Sequence, residues 1–165
     1  MRTLDYPELH HVRAAEGWLE LGDPAEAARE LRHLPAPALA HPDVLELRWR
    51  LYAAERQWDA ALDIARAITL AAPERSTGWI HRSYCLHELR RTEEAWQLLL
   101  PLADQFPGEA TIAYNLACYA CQMGRGSEAR TWLSRAMKLG GKAEIRDLAL
   151  DDPDLAPLHA YLRTL

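Results

Sequence analysis

Apolar residues recur along the chain at the spacing of one face of an α-helix. Trp79, Leu86 and Leu89 share one such face, and residues 95–102 carry a second face with alanine and leucines at the same spacing. No segment alternates apolar and polar residues between turn signals, as a half-buried β-strand would. The pattern therefore predicts an all-α protein.

The helical segments repeat with a fixed period. Alanine occupies four positions that are 34 residues apart, namely Ala27, Ala61, Ala95 and Ala129. The same register aligns the breaks between helical segments, which read Gly22-Asp23-Pro24, Arg56-Gln57, Arg90-Arg91-Thr92 and Gly124-Arg125-Gly126. A constant period of about 20–50 residues is typical of repeat proteins.

Each unit of this repeat predicts two antiparallel helices of roughly 12–14 residues that are joined by a short turn. Asp23 before Pro24 indicates a helix start, because aspartate caps helix N-termini and proline favours the first turn. The units span residues 8–41, 42–75, 76–109 and 110–143. We expect the whole chain, residues 1–165, to form one domain of stacked helix pairs.

In this register the chain resembles the tetratricopeptide repeat (TPR) family, whose pattern places Trp, Leu, Tyr, Ala, Phe and Pro at set offsets. The matching residues of the second, third and fourth units are Leu45, Tyr52, Ala61 and Pro73, then Trp79, Leu86, Ala95, Leu99 and Pro107, then Leu116, Ala117, Ala129, Leu133 and Ala136. The resemblance covers about residues 8–141. It implies an α-solenoid of about ten helices, a right-handed superhelix whose first helices line a concave groove.

The second unit departs from the pattern in the sizes of two residues. The other units pair a small residue on the first helix with a larger one on the second, whereas this unit pairs Trp49 with Ala65. Because close-packed cores tolerate exchanges that conserve volume, we predict that Trp49 packs over Ala65. Trp18 and Trp79 also lie in apolar stripes of first helices, and we expect all three tryptophans to be core residues.

Residues 143–165 differ from the repeats. They predict two short helices, at about residues 143–150 and 153–163, with Asp152-Pro153 at the start of the second. Their leucines suit a cap, since a repeat array needs its open end covered. The segment is similar to the ending of many bacterial TPR chains.

Composition narrows the range of partners. With 19 basic and 24 acidic residues the net charge is −5, which argues against nucleic-acid binding and against a polybasic membrane contact. No apolar run approaches the roughly 18 residues of a membrane span, and the N-terminal sequence lacks the apolar segment of a signal peptide. Three cysteines, an odd number, fit a reducing compartment. We therefore expect a cytoplasmic protein.

The sequence contains no catalytic motif. The four serines lie outside any nucleophile elbow, and the glycines mark turns rather than a phosphate-binding loop. His87, Cys118 and Cys121 would fall on neighbouring first helices and are the one candidate set of zinc ligands. Small cysteines buried at a helix contact are the preferred interpretation. The prediction is a non-catalytic protein with no metal and no cofactor.

The resemblance implies a protein–protein interaction scaffold that holds a peptide or helix of a partner protein in the concave groove. The side chains expected to line the groove are Arg13, Asp43, Glu46, Arg50, Thr77, His81, Tyr84, His87, Tyr114, Asn115, Cys118 and Gln122. A well-known TPR subgroup clamps a C-terminal carboxylate with lysines and asparagines. This set has Asn115 but no lysine, which favours a neutral or mildly acidic peptide with aromatic or apolar anchors.

Two alternatives remain open at this stage. One is a self-associating assembly module, a homo-oligomer built through the ends or the convex face. The other is a chaperone of secreted bacterial translocator proteins, which are TPR proteins of similar length and charge. Those chaperones usually have three repeats, and the fourth unit of this chain counts against that interpretation.

Overall fold

A computed structural model of the protein describes residues 4–164 and is all-α over that range. The helices are α1 (Glu8–Glu20), α2 (Pro24–Leu31), α3 (Ala36–Leu39), α4 (Pro42–Ala54), α5 (Trp58–Ala71), α6 (Ser76–Glu88), α7 (Thr92–Leu99), α8 (Leu102–Gln105), α9 (Ala110–Gln122), α10 (Gly126–Gly140), α11 (Lys142–Asp151) and α12 (His159–Leu162). A 3-10 helix, Pro153–Leu158, joins α11 to α12. The chain groups into two compact units, one ending at Cys85 and one beginning at Leu86.

The helices pack as sequential pairs, which confirms the predicted fold class. Helix α1 packs on α2, α4 on α5, and α9 on α10. The first helices of the four repeats begin at Glu8, Pro42, Ser76 and Ala110, a constant spacing of 34 residues. None of the helices described is long and apolar enough to cross a membrane.

The turn between the two helices of each repeat has one backbone geometry. The residues with positive φ in these turns are Gly22 (77°), Arg56 (55°), Arg90 (63°) and Gly124 (74°). In the last turn, the N–H of Gly124 bonds to the Cys121 carbonyl at 3.0 Å, and the N–H of Arg125 bonds to the Ala120 carbonyl at 2.8 Å. The other three turns repeat this pair of bonds, which is the Schellman motif. A residue with a left-handed backbone conformation therefore recurs every 34 positions, in the turn that joins the two helices of each pair.

The alanine column lies one turn into the second helix of each repeat. Ala27, Ala61, Ala95 and Ala129 are all fully buried. The N–H of each bonds to the carbonyl of the residue that precedes the helix, for example Ala61 to Gln57 at 2.9 Å. A methyl group at this contact lets the two helices of a pair approach closely. The periodic alanines are thus a packing requirement.

Two second helices are shorter than predicted. Helices α2 and α7 have eight residues each, and the short helices α3 and α8 follow them. The expected length of roughly 12–14 residues is wrong here because prolines interrupt the chain. Pro35 precedes α3, and Pro101 precedes α8. Proline lacks the N–H that a continuing helix requires, and its ring clashes with the preceding turn.

The tryptophans of the first helices are less buried than expected. Trp18 is 36% exposed, so its assignment to the core is wrong. No helix precedes α1 in the part of the chain that the structure describes. Trp79 is half-buried and donates its indole N–H to the Pro73 carbonyl at 3.0 Å.

Trp49 is also half-buried. Its side chain packs against a cluster formed by Leu45, Ile64 and Ile68, which joins α4 to α5. Ala65, on the same helix as Ile64, is fully buried. The direct contact of Trp49 with Ala65 stays a prediction.

After α11, the C-terminal segment continues as a capped 3-10 helix and then α12, and this part of it is called here the tail. The Asp152 carboxylate accepts a hydrogen bond from the N–H of Asp154 at 2.9 Å, with Pro153 between them. Leu155, Leu158 and Leu162 are buried, and the 3-10 helix packs against α9 and α10. The segment lies along the last repeat through these leucines.

The left-handed turn makes a testable prediction. A Cβ at Gly124 meets no atom within 4 Å, so Gly124→Ala tests the backbone conformation alone. The left-handed region costs an L-residue about 1–2 kcal/mol, and the stiffer unfolded chain offsets part of this. We expect a loss of about 1 kcal/mol in the free energy of unfolding, measured by urea denaturation.

Gly126→Ala is the matched control for this prediction. Gly126 begins α10 without a positive φ, and its Cβ also meets nothing within 4 Å. Alanine there should leave stability unchanged or slightly raised, since it is the better helix former. Equal effects of the two substitutions would contradict the role assigned to the turn.

Candidate functional site

In the first unit a cavity of about 340 Å³ lies between α1 and α4. Its lining residues are Leu9, Val12, Arg13, Glu16, Asp43, Glu46, Leu47 and Arg50. Four of the predicted groove residues, Arg13, Asp43, Glu46 and Arg50, therefore come together at one place. Three aliphatic side chains form the apolar part of the lining, and charged side chains form the rest. Such a combination suits an extended peptide with one apolar side chain.

Glu46 joins α4 to the start of α6. Its carboxylate accepts a hydrogen bond from the Thr77 hydroxyl at 2.7 Å and lies 2.7 Å from Nε2 of His81. Burial raises the pKa of Glu46, but the hydrogen bonds from His81 and Thr77 outweigh it, so the pKa lies below its usual value. Three predicted groove residues thus form one polar group around an ionised carboxylate.

Trp49 adjoins the polar group around Glu46 and is half-buried, although it was predicted to be a core residue. Its ring stacks on the His81 ring with centroids 3.5 Å apart and planes 7° apart. Its indole N–H donates to the Cys85 sulfur at 3.2 Å, and the Tyr84 ring meets it edge-on at 6.4 Å. The available signal was a bulky aromatic residue where the other units have Ala15, Ser83 and Ala117.

The charges around the cavity are mostly paired. Asp43 accepts a hydrogen bond from Arg75 at 2.9 Å, and Arg50 lies 3.6 Å from Glu16. Arg13 is exposed and makes no hydrogen bond or ion pair with the residues that the structure describes. Its guanidinium is therefore the cation of this cavity that is open to a partner.

In the second unit the predicted groove residues contact the C-terminal segment of the same chain. Tyr114, Cys118 and Gln122 follow one stripe of α9 at four-residue spacing. The Tyr114 hydroxyl donates to the Asp152 carboxylate at 2.8 Å, and the Cys118 thiol lies 3.5 Å from the same oxygen. The side-chain amide of Gln122 donates to the Asp154 carbonyl at 2.9 Å.

His87 completes this arrangement. Its Nε2 lies 2.8 Å from the Asp154 carboxylate, its Nδ1 lies 3.0 Å from the Thr92 hydroxyl, and its ring centroid is 4.9 Å from that of Tyr119. With Nε2–H donating to Asp154, Nδ1 of a neutral ring accepts from Thr92. Asn115 is half-buried on α9 and makes no hydrogen bond with the described part of the chain. Asp152 and Asp154 of the tail therefore contact four of the five groove residues that were predicted in this unit.

The part that Asp152 and Asp154 play in the site was not predicted from the sequence. The tail was expected to cover the open end of the array, and the structure adds that these two residues contact the first-helix stripe of α9. The available signal was chemical: the hydroxyl of Tyr114 and the imidazole of His87 need acceptors when they are buried, and a short acidic segment follows them in the chain. That the twelve predicted groove residues bind a partner protein stays a prediction.

The two cysteines of the second unit lie in surroundings that disfavour the thiolate form. Burial, aided by the nearby Asp152 and Asp154, raises the pKa of both Cys118 and Cys121 above the usual thiol value. The protonated form is therefore favoured, and both thiols are weak nucleophiles. Within residues 4–164 no group of three histidine, cysteine or carboxylate side chains is arranged to hold a metal ion.

Comparison with known proteins gives matches in structure but not in sequence. No protein-family model matches the chain, and no curated protein matches it. The structure of PilF from Pseudomonas aeruginosa superposes with a TM-score of 0.74 at 20% identity, covering 95% of this chain and 69% of PilF. PilF is a TPR protein. The chain has a TPR-like repeat fold.

MamA, another TPR protein, agrees with this assignment. One MamA structure matches with a TM-score of 0.71 at 11% identity, over 84% of this chain and 81% of MamA. MamA of AMB-1 matches with a TM-score of 0.65 at 15% identity, over 96% of this chain and 91% of that protein. The resemblance found in the sequence is confirmed at the level of the fold.

The contact between α9 and the tail makes a second prediction. Asp152→Ala removes the cap of the 3-10 helix and leaves the buried Tyr114 hydroxyl without its acceptor. We expect the free energy of unfolding to fall by about 2–3 kcal/mol, measured by urea denaturation. The control is Asp151→Ala, an exposed residue with no hydrogen bond in the described range, which should change stability by less than about 0.5 kcal/mol. A similar loss in both variants would refute the contact.

The Glu46 group predicts a pH dependence. Because the pKa of Glu46 is lowered on folding, its carboxylate contributes stability above the reference pKa of 4.5, and the contribution is lost as pH falls through the folded pKa. The stability difference between wild type and Glu46→Gln should be about 1 kcal/mol near neutral pH and should shrink in acid. Glu20→Gln, at an exposed residue of α1, should show no such trend in urea titrations at several pH values. A difference that is independent of pH would count against the carboxylate.

Proposed function

We propose that the protein is a non-catalytic scaffold that binds an extended or helical segment of another protein on the first-helix face of the unit ending at Cys85. The observation that carries the proposal is the cavity between α1 and α4, with Leu9, Val12 and Leu47 in its lining beside charged side chains. It gathers residues that the TPR resemblance assigns to partner binding. PilF and MamA support the choice of fold, and TPR folds commonly bind proteins.

The distribution of contacts favours this unit as the binding site. In the other unit the corresponding side chains of α9 already bond to Asp152 and Asp154. An external peptide on α9 would have to displace those bonds. The cavity at Arg13 requires no such exchange, because the guanidinium has no hydrogen-bond or ion-pair partner among residues 4–164.

The charges of the cavity define the proposed ligand. Asp43, Glu46 and Glu16 contact Arg75, His81 and Arg50, which leaves Arg13 as the cation of the lining that has no partner among residues 4–164. A peptide with one carboxylate for Arg13 and one aliphatic or aromatic side chain for the apolar lining is complementary to this arrangement. The proposed class is therefore a mildly acidic peptide with an apolar anchor.

The absence of catalysis is part of the proposal. The proteins of similar fold are TPR proteins, which are generally non-catalytic. The raised pKa values of Cys118 and Cys121 also disfavour a thiolate nucleophile. We propose the cytoplasm as the compartment, since no disulfide joins the three cysteines.

Peptide selection on the full chain tests the proposed function. Peptides selected from a random display library should share an acidic residue near an apolar one. Arg13→Glu should weaken the selected binders at least about tenfold in fluorescence anisotropy, because it replaces the open cation with a like charge. Arg50→Ala should weaken them less, since Arg50 is already engaged with Glu16.

Arg66→Glu is the matched control for this experiment. Arg66 lies in the same unit and pairs with Asp63 at 2.8 Å on α5, a second helix. Its reversal should leave the affinity of the selected peptides unchanged within about twofold. If Arg66→Glu and Arg13→Glu lowered the affinity of the selected peptides equally, or if neither changed it, the binding surface would lie elsewhere.

A further inference from the structure

A second surface of the protein lies on helix α10 in the unit that begins at Leu86. Arg130, Ser134 and Lys138 follow one face of this helix at four-residue spacing. A cavity of about 380 Å³ on one side of this row is lined by Leu133, Ser134, Met137, Lys138, Lys142 and Tyr161. A cavity of about 520 Å³ on the other side is lined by Arg130, Thr131, Ser134, Arg135 and Lys138. The two cavities share Ser134 and Lys138 and form one continuous surface, called here the α10 surface.

The α10 surface is basic, although the chain is acidic. Its two cavities are lined by two arginines and two lysines and by no carboxylate. Lys138 and Lys142 are the two lysines of the entire sequence, whose net charge is −5. The local charge is therefore opposite to that of the whole protein, and it attracts an anionic partner.

The two arginines are held in place by aromatic rings. The Arg130 guanidinium lies 4.8 Å from the centroid of the Tyr161 ring, and that of Arg135 lies 5.3 Å from the Trp132 ring. Arg135 also donates to the Ala103 carbonyl at 2.7 Å. A guanidinium has five N–H donors, so donors remain for a carboxylate after these contacts. Side chains that are fixed before binding lose less conformational entropy when a partner arrives.

Lys138 lines both cavities and supplies a positive charge between them. It is exposed and makes no hydrogen bond or ion pair with residues 4–164. It lies between the fixed Arg130 and Arg135 on one side and the apolar cavity on the other. An anionic group at this point therefore pairs with an ammonium that has no competing partner in the described range.

The smaller cavity adds an apolar requirement. Leu133 and Met137 are buried in its lining, and Tyr161 is half-buried. A volume of about 380 Å³ accommodates one large aliphatic or aromatic side chain. A phosphate backbone would use the cations but not this cavity, and the acidic net charge of the chain opposes nucleic acid. The surface therefore favours a peptide over an oligonucleotide.

We propose that the α10 surface binds an acidic segment of a partner protein, with one apolar side chain of that segment in the cavity between Met137 and Tyr161. The carboxylates of the segment pair with Lys138, Arg130 and Arg135. This site is separate from the cavity between α1 and α4, and it uses second-helix and tail residues rather than first-helix residues.

Acidic peptides that differ only in their central residue test the proposal on the full-length protein. The probes are fluorescein-labelled Asp-Glu-Leu-Glu-Asp, Asp-Glu-Phe-Glu-Asp and Asp-Glu-Ser-Glu-Asp, with a short oligothymidylate as the competing anion. The leucine and phenylalanine peptides should bind at least about tenfold more tightly than the serine peptide, since only they fill the cavity. Lys138→Glu should weaken the apolar peptides by about tenfold or more, and added salt should weaken them when Lys138 is retained.

Arg146→Glu is the matched charge reversal. Arg146 lies on α11 in the same unit and is engaged by Asp147 at 2.9 Å, outside both cavities. It should change the affinity by less than about twofold. All of these affinities are measured in the Arg13→Glu background, so that the peptide cavity proposed for the other unit does not contribute to the binding. The proposal would be overturned if Lys138→Glu and Arg146→Glu lowered the affinity equally, or if the serine peptide bound as tightly as the apolar peptides. It would also be overturned if oligothymidylate bound more tightly than the apolar peptides, or if the apolar peptides did not bind.

Discussion

The close approach of the two helices within each repeat is the constraint on which the rest of the structure depends. A fully buried alanine on the second helix permits the approach, and a left-handed residue in the turn fixes the direction in which the chain returns. Because both recur every 34 residues, equivalent side chains of consecutive repeats come into contact. Polar contacts between repeats accordingly join residues that are 31–36 positions apart, such as Thr77 with Glu46 and Trp49 with Cys85. One local geometry thus produces a row of interactions along each unit.

The first-helix face is used differently in the two units. Near Arg13 the face encloses a cavity with apolar and charged walls. On α9 the equivalent side chains donate hydrogen bonds to Asp152 and Asp154, so the tail supplies the acceptor that the buried Tyr114 hydroxyl needs. The tail therefore acts in part as a ligand of its own repeat. This contact explains why polar residues on α9 are compatible with a buried environment.

The two proposed binding surfaces also differ in the charges that line them. The cavity between α1 and α4 mixes acidic and basic side chains that mostly satisfy one another, which suits a ligand of low charge. The α10 surface concentrates both lysines and two aromatic-supported arginines in an otherwise acidic chain. Helix pairs can carry two such surfaces because each exposes one face of its first helix and another of its second. The scaffold separates the requirements of folding from those of recognition, since its core consists largely of alanine and leucine.

The sequence by itself determined the helices, their 34-residue register and the positions of the turns, because apolar periodicity, capping by Asp23 and left-handed glycines are local properties of the chain. The shortened α7 follows from Pro101, a signal that was present but not used. Only the tertiary structure decided that the tail lies on α9, that Trp49 stacks on His81, and that Arg130 lies over Tyr161. These contacts join side chains that are distant in the sequence. A periodic pattern states which face of a helix is buried, but not which residue of another element covers it.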